Sequence, residues 1–284
     1  MLKYQAAIAI TALFFTTFSP LAHSSNASNH EDNANRVDLV ISAPPQGKKS
    51  RNPFIEELLS QIFTTQNLTL NLIYHQQPLG QNRAVKQLSN DVDIDLNWSV
   101  TNVYREEKLR AIKIPIYQGY IGWRVLFIRP DAIEKFNQVK TINDLKKYTA
   151  VQRFDWADYE ILKDNLLPVE GNLSFVNHSK AVLDGLVDYF PRSVLEAESE
   201  ISETRNQQLI IEPNLVLKYP SAHYFFVNKN NSALASVIEK GFQALIANGD
   251  YQALFNQYFG ASLKKLNLEN RTVIHLKNAS FPNK

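Results

Sequence analysis

Cysteine is absent from all 284 residues of the chain. Its absence excludes a disulfide framework, a thiolate nucleophile, a lipoprotein anchor and a cysteine-rich metal site. The chain also lacks an excess of charge of one sign, since 30 basic residues face 28 acidic ones and the formal net charge is +2. Because no strong positive field or long basic run exists, we expect no binding to nucleic acid or to an anionic membrane.

Motifs of common catalytic sites are missing as well. Neither G-x-S-x-G nor G-x-G-x-x-G occurs, and no two histidines have the i, i+4 spacing of a metal site on a helix. Asp91, Asp93 and Asp95 alternate along one strand-like run. A calcium site is one interpretation of them, but a strand edge that meets solvent is favoured. The sequence therefore predicts a protein that is not an enzyme, with no catalytic residue, no cofactor and no metal.

The N-terminal segment has the three parts of a secretory signal peptide. Lys3 comes first, an apolar run follows from Ala6 to Phe18, and small residues then cluster at positions 22, 24 and 27. Cleavage after residue 24 or 27 is expected, so that residues 1–24 are removed. The alternative is a membrane anchor, but the run is shorter than the ~20 residues of a spanning helix. We expect an exported, soluble protein in the periplasm of a bacterium.

Strand-like and helix-like segments alternate along the rest of the chain, which is typical of layered α/β folds. They form two blocks, and the extended stretches "YIGWRVLFI" and "LVLKYPSAHYFFV" lie on either side of the second block. An inserted domain needs two crossings of this kind. Residues 36–122 and 222–284 are therefore predicted to form a first lobe and residues 123–221 a second. A cleft between lobes is a preferred place for a small ligand.

Three segments resemble the extracellular solute-binding proteins of family 3, the amino-acid type. They are "VDIDLNWSVTNVYREEKLRAIKIPIY", "TINDLKKYTAVQ" and "YFFVNKNNSALASVIEKGFQALIANGDYQALFNQYFG". "IGWRVLFIR", "DWADYEIL" and "VDYFPR" resemble one branch of these proteins more narrowly. The resemblance implies the two-lobed class II periplasmic binding fold, in which each lobe is a mixed sheet flanked by helices and two strands form the hinge.

The same resemblance implies a ligand-binding arginine in the first lobe. Arg105 matches the family's arginine by position, after Ser99 and Thr101, and a guanidinium fork fits a ligand carboxylate. The alternative is an ion pair of Arg105 with a neighbouring acid, either Glu106, Glu107 or another solvent-facing carboxylate. Trp98, at the end of its strand, is either a wall of the cleft or part of the core.

The stretch "VDYFPRSVLEAESE" departs from the family pattern. Amino-acid binders carry an aspartate here that takes the ligand ammonium, whereas this chain has Arg192 and Ser193. Pro191 is expected to stop the strand, with Tyr189 or Phe190 near the mouth of the cleft. Arg192 would then favour a more anionic ligand, and Glu196 is the acid left to hold an ammonium group. The alternative is that Arg192 forms an ion pair with Glu196.

"RFDWADYEIL" lies where a strand of the second lobe leads into a helix. Asp155 is expected to cap that helix, whose N-terminus would then attract an anion. Trp156 either stacks on a ligand or packs across the surface between the lobes. Together the resemblance and these residues predict a monomeric periplasmic protein that binds a small polar, carboxylate-bearing ligand for an ABC-type permease or a sensor receptor. An enzyme of the same fold, or an envelope signalling module, is the alternative.

Overall fold

The computed structural model describes residues 35–173 and 178–282. The predicted signal peptide, residues 1–24, lies outside them. Arg36–Lys284 form one compact unit. No helix in the described part of the chain combines the length and apolar character needed to cross a membrane.

The unit mixes strands and helices. The strands are β1 (Arg36–Ile41), β2 (Thr69–Tyr74), β3 (Leu96–Val100), β4 (Leu109–Ile112), β5 (Trp123–Ile128), β6 (Ala150–Val151), β7 (Val169–Glu170), β8 (Phe190–Ser193), β9 (Ile210–Ile211), β10 (Leu215–Lys218), β11 (His223–Asn228) and β12 (Thr272–His275). The helices are α1 (Pro53–Thr64), α2 (Gln81–Ser89), α3 (Val103–Lys108), α4 (Ile133–Asn137), α5 (Ile142–Leu145), α6 (Ala157–Asp164), α7 (His178–Leu183), α8 (Ala197–Ile201), α9 (Ser232–Asn248), α10 (Asp250–Phe255) and α11 (Ala261–Leu266).

The predicted first lobe is built on two small sheets. β1 and β2 run parallel, joined through α1, while β11 lies between β3 and β4 and is antiparallel to both. The Asn52 side chain caps α1, Pro53 follows at its first position, and the apolar residues of α1 are buried. Because the carboxyl ends of β1 and β3 carry the loops that lead into α1 and α3, these loops can supply side chains to a binding site.

The predicted second lobe is built on a five-stranded sheet in the order β12-β10-β5-β8, with β9 paired to β5 as well. β6 and β7 form a short parallel pair beside it. The C-terminal strand, β12, pairs in parallel with β10 and so belongs to this sheet, although its residues fall in the range predicted for the first lobe. Short terminal strands of this kind depend on a partner far away in sequence, which a local pattern does not reveal.

The two crossings between the sheets meet each other at one point. The backbone N–H of Tyr219 donates to the carbonyl of Gly122 at 3.0 Å. A Cβ on Gly122 would lie 2.1 Å from the Tyr219 carbonyl oxygen, so glycine is required for this close approach. The two crossing segments are therefore joined to each other at Gly122 and Tyr219.

Several predicted local features are confirmed. The sequence predicts a capping box from Thr141 and Asp144 and a break in the C-terminal helical stretch around Asn248 and Gly249, and the structure has both. The prediction that Pro191 stops its strand is wrong, because β8 includes Pro191 opposite Leu126 of β5. β8 ends the strand order of its sheet, a position where a proline is tolerated. The sequence also predicts a strand at "LSFVN", a segment that lies largely outside the described residues.

Candidate functional site

A cavity of about 710 Å³ opens between residues of the two predicted lobes. Its first-lobe wall is formed by the start of α2 and by the loop from β3 into α3, its second-lobe wall by β5 and the start of α6. The lining includes Gln81, Arg83, Thr101, Arg105, Arg124, Trp156, Asp158 and Tyr219. Three of the eight residues predicted to bind ligand therefore share this cavity, namely Thr101, Arg105 and Trp156.

Arg105 projects into this cavity from α3. The Asn102 side chain caps that helix by accepting the backbone N–H of Arg105 at 2.8 Å. The guanidinium donates to the carbonyl of Val100 and, at 2.7 Å, to Oε1 of Gln81. Within the described residues, no carboxylate is close enough to Arg105 for an ion pair, and burial lowers the pKa of the side chain. Its two protein acceptors are neutral, so its charge stays available to an anion.

The neighbouring acid predicted as an alternative partner of Arg105 is engaged elsewhere. Glu106 accepts the hydroxyl of Thr101 at 2.7 Å and pairs with Lys113 at 2.6 Å. Thr101 is buried and its hydroxyl is directed to this carboxylate. It therefore fixes the loop ahead of Arg105 through Glu106.

An ion pair that the sequence analysis missed, with side chains 12% and 15% exposed, lines the cavity on the second-lobe side. Nε of Arg124 lies 2.7 Å from Asp158, and the hydroxyl of Tyr219 donates to the same carboxylate. Burial alone would lower the pKa of Arg124 and raise that of Asp158, but their mutual attraction reverses both shifts. Arg124 is a charged residue inside the apolar run "WRVLFI", and that position is the signal that could have found it.

A smaller cavity of about 320 Å³ shares Arg124, Trp156 and Asp158 with the larger one. Arg192, Glu196 and Glu200 complete its lining. Arg192 is buried and donates from two nitrogens to Glu200, with a longer contact of 3.4 Å to Glu196. The ion pair with Glu196 that the sequence allowed is therefore present, but Glu200 is the closer partner. Because Glu200 neutralises Arg192, this arginine adds no net positive charge to the cleft.

The fold has clear counterparts among solved structures. A putative binding component of an ABC transporter from Wolinella succinogenes, complexed with lysine, matches with a TM-score of 0.58 at 15% identity, over 79% of this chain and 96% of that one. The second substrate-binding domain of a putative amino acid ABC transporter from Streptococcus pneumoniae matches with a TM-score of 0.54 at 16% identity, over 78% and 98%. The chain has the two-lobed fold of amino-acid-binding proteins.

Other similar structures are also described as amino-acid-binding proteins. An ancestral arginine-binding protein bound to arginine matches with a TM-score of 0.54 at 16% identity, over 79% of this chain and 98% of that one. Binding proteins outnumber enzymes among the neighbours, and one neighbour is an ancestral amino-acid-binding protein that is a precursor of cyclohexadienyl dehydratase. No family model matches the chain, and no curated protein does. At such low identities the likeness establishes the fold alone.

In this two-lobed fold, Trp156 is common to both cavities. It precedes α6, and its ring lies 5.4 Å from the guanidinium carbon of Arg192 and 5.8 Å from that of Arg153. The prediction that Asp155 caps α6 is wrong, since Trp156 occupies the cap position without a side-chain bond. Asp155 pairs instead with Arg153, two residues before it.

The remaining predicted site residues line neither cavity. Trp98, Ser99 and Phe190 are 6%, 2% and 2% exposed. The ring of Phe190 lies 4.9 Å from the guanidinium carbon of Arg192, so it supports the smaller cavity from behind. Trp98 carries the guanidinium of Arg51 on its ring at 4.1 Å. The sequence analysis did not single out Arg51, because nothing in the loop "QGKKSRN" distinguishes it from a solvated basic residue.

Proposed function

We propose that this protein is a periplasmic solute-binding protein that captures a small, polar, carboxylate-bearing ligand in the cleft between its lobes. Amino acids and related compounds are the expected ligands, and an ABC-type permease or a sensor receptor is the expected partner. The observation that carries the proposal is Arg105, a half-buried guanidinium that lines a cavity of about 710 Å³ and has only neutral acceptors in the described chain.

The binding mode follows from the chemistry of the cleft walls. Val100 and Gln81 hold the Arg105 guanidinium in place, and its fork can receive a carboxylate through two parallel hydrogen bonds. On the other wall, Trp156 offers an aromatic face. Glu196 has a side chain that is 61% exposed, and it is the acid proposed to receive an ammonium group. The missing aspartate of the resembled family is thus replaced by a carboxylate from a later position.

The proposal is tested by thermal shift with a panel of amino acids, dicarboxylates and amines. A ligand that binds the native state raises the unfolding temperature by mass action. Arg105→Ala should abolish that rise while leaving the unliganded unfolding temperature and circular dichroism close to those of wild type. The loss corresponds to affinity weaker by about 10-fold or more, as expected for a charged hydrogen-bonding group.

A matched control is Arg110→Ala. Arg110 is exposed and donates to the carbonyl of Lys229, away from the cavity lining. Its removal should leave every ligand-induced shift unchanged. Undiminished binding by Arg105→Ala would overturn the assignment of the central residue, and a wild-type protein that responds to nothing in the panel would overturn the proposed class of ligand.

An enzyme of the same fold is the second candidate. It is supported by the likeness to the dehydratase precursor, which is described as an amino-acid-binding protein itself. Incubation of the protein with every compound that raises its unfolding temperature, followed by product analysis, separates the two. Binding without turnover supports a binding protein, whereas product formation supports the enzyme.

A further inference from the structure

Arg105, Arg124 and Arg192 line the two cavities, Arg51 lies outside both linings, and the four fall into two groups by the acceptors they meet. Arg124 and Arg192, both on the second-lobe side, donate to the carboxylates of Asp158 and Glu200. Arg51 and Arg105, both on the first-lobe side, donate only to neutral oxygens among the described residues. Both arginines without a carboxylate partner among the described residues therefore belong to the first-lobe side, Arg105 in the lining of the larger cavity and Arg51 outside it.

Arg51 is held over the middle of β3. Both of its terminal nitrogens donate to Oδ1 of Asn97 at 3.1 Å, and its guanidinium carbon stacks on Trp98 at 4.1 Å. Burial lowers the pKa of Arg51, and the negative charge of Glu56 partly offsets this. The Glu56 carboxylate itself accepts backbone N–H groups of Arg51 and Asn52, so it is not paired with the guanidinium.

Arg105 is anchored to the end of the same strand, through the carbonyl of Val100. Asn97 and Val100 are three residues apart on β3, which is about 10 Å along an extended strand. Two guanidiniums attached to anchors at this separation can each hold one acid group of a short carbon chain. Their planar forks suit carboxylates, which accept two parallel hydrogen bonds.

One buried polar atom on the neighbouring strand β11 has no hydrogen-bond partner among the described residues. His223 lies opposite Val100 on β11, and its Nδ1 is buried without a hydrogen-bond partner in the described chain. Burial, together with the positive charges of Arg105 and Arg51, lowers the pKa of His223 to about 3. Both arginines thus act on the same neutral imidazole, and an unsatisfied buried atom beside them marks a place where a polar partner is missing.

We propose that Arg51 and Arg105 together bind a ligand with two acid groups, with Arg51 as the residue that selects the second acid. The inference rests on the proposed function, because Arg105 must already hold the first carboxylate. The sequence analysis expected Arg192 to be the second cation of the site, whereas this proposal assigns that role to Arg51. The proposed ligand is a short dicarboxylate. An acidic amino acid belongs to this class, and its ammonium group would also contact Glu196.

Paired probes test this selection directly. L-glutamate and L-glutamine differ only in one acid group, as do succinate and succinamate, so each pair isolates the second charge. Titration calorimetry on wild type should give affinity for the diacid at least about 10-fold higher than for its half-amide, the size expected for one charged hydrogen-bonding group. In Arg51→Gln the two affinities should approach each other, while the half-amide binds as it does to wild type.

Two further variants serve as controls. Arg51→Lys keeps the charge and should retain part of the preference, whereas Arg110→Gln changes an exposed arginine outside the site and should retain all of it. Equal affinity of wild type for the two members of each pair overturns the inference without any variant, and so does a preference that survives in Arg51→Gln. If the inference is overturned in this way but half-amides still bind and their binding depends on Arg105, the proposed function is still supported. If wild type binds none of the probes and no member of the wider panel, the result contradicts both this inference and the proposed function.

Discussion

At the scale of single residues, the partner of each arginine decides its role. Arg124 and Arg192 are neutralised within the second lobe and hold its structure, while Arg51 and Arg105 meet neutral oxygens and stay available to an anion. A guanidinium keeps its charge at any physiological pH, so burying one without a carboxylate is costly. Among the described residues Arg51 and Arg105 meet only neutral acceptors, as their proposed role in ligand binding requires.

The Arg124–Asp158 pair gives the first prediction at this scale. Asp158→Asn leaves the largely enclosed Arg124 guanidinium, 12% exposed, without its counter-charge and should lower the free energy of unfolding by about 3 kcal/mol, measured by urea denaturation. Asp155→Asn is the matched control, because the same change three residues earlier removes only the exposed partner of Arg153 and should leave the urea midpoint unchanged. Equal effects of the two changes would mean that the Arg124–Asp158 pair contributes no more to stability than the exposed Arg153–Asp155 pair does.

The dependence on pH gives this prediction a second readout. The pKa of Asp158 is lowered in the folded protein, since attraction to Arg124 outweighs the upward effect of burial. The stabilising contribution of such a carboxylate is complete above the unfolded-state pKa of about 4 and is lost as pH falls through the lowered pKa of the folded state. The difference in stability between wild type and Asp158→Asn should therefore shrink only below about pH 4.

At the scale of elements, the sequence predicts best where a local signal is sufficient. Pro53 at the start of α1 and the capping box of α5 are readable in the sequence because each signal lies within four residues. The inclusion of Pro191 in β8 is not readable in the sequence, because it depends on the position of that strand in its sheet. The candidate site divides in the same way: Arg105 follows a recognisable strand and loop, whereas Arg51 is defined only by its contact with Trp98 in the folded chain.

The prediction at the scale of elements concerns Gly249, the residue that separates two C-terminal helices. It lies between α9 and α10 with φ of 87°, a left-handed conformation that glycine adopts without strain. Gly249→Ala should lower the free energy of unfolding by about 1 kcal/mol, because a Cβ is disfavoured there. Gly249→Asn should cost less, since asparagine tolerates this region better than alanine does. Thermal unfolding of the three proteins checks the order, and a destabilisation by asparagine equal to or greater than that by alanine would contradict it.

At the scale of the whole molecule, the two lobes meet along crossings that touch each other at Gly122 and Tyr219. Tyr219 also donates to Asp158, so one residue joins the crossing to the second-lobe wall of the cleft. The first-lobe wall brings Arg105, which has no carboxylate partner in the described part of the chain, and the second-lobe wall brings Trp156 and Glu196. A ligand whose acid groups bind the first wall and whose remaining surface meets the second gains contacts when the walls approach.

This arrangement predicts closure of the cleft on ligand binding. Small-angle X-ray scattering of wild type should show a smaller radius of gyration with the compound that gives the largest thermal shift than without it, because hinge closure around a ligand brings two lobes together. In Arg105→Ala, where the ligand loses its anchor on the first lobe, the same compound should leave the radius unchanged. Trp156→Ala keeps that anchor but removes the aromatic face of the opposite wall, so it should bind more weakly and still close when saturated. A saturated wild-type protein whose radius does not change would show that binding occurs without closure, and would make the crossings at Gly122 and Tyr219 a rigid strut instead of a hinge.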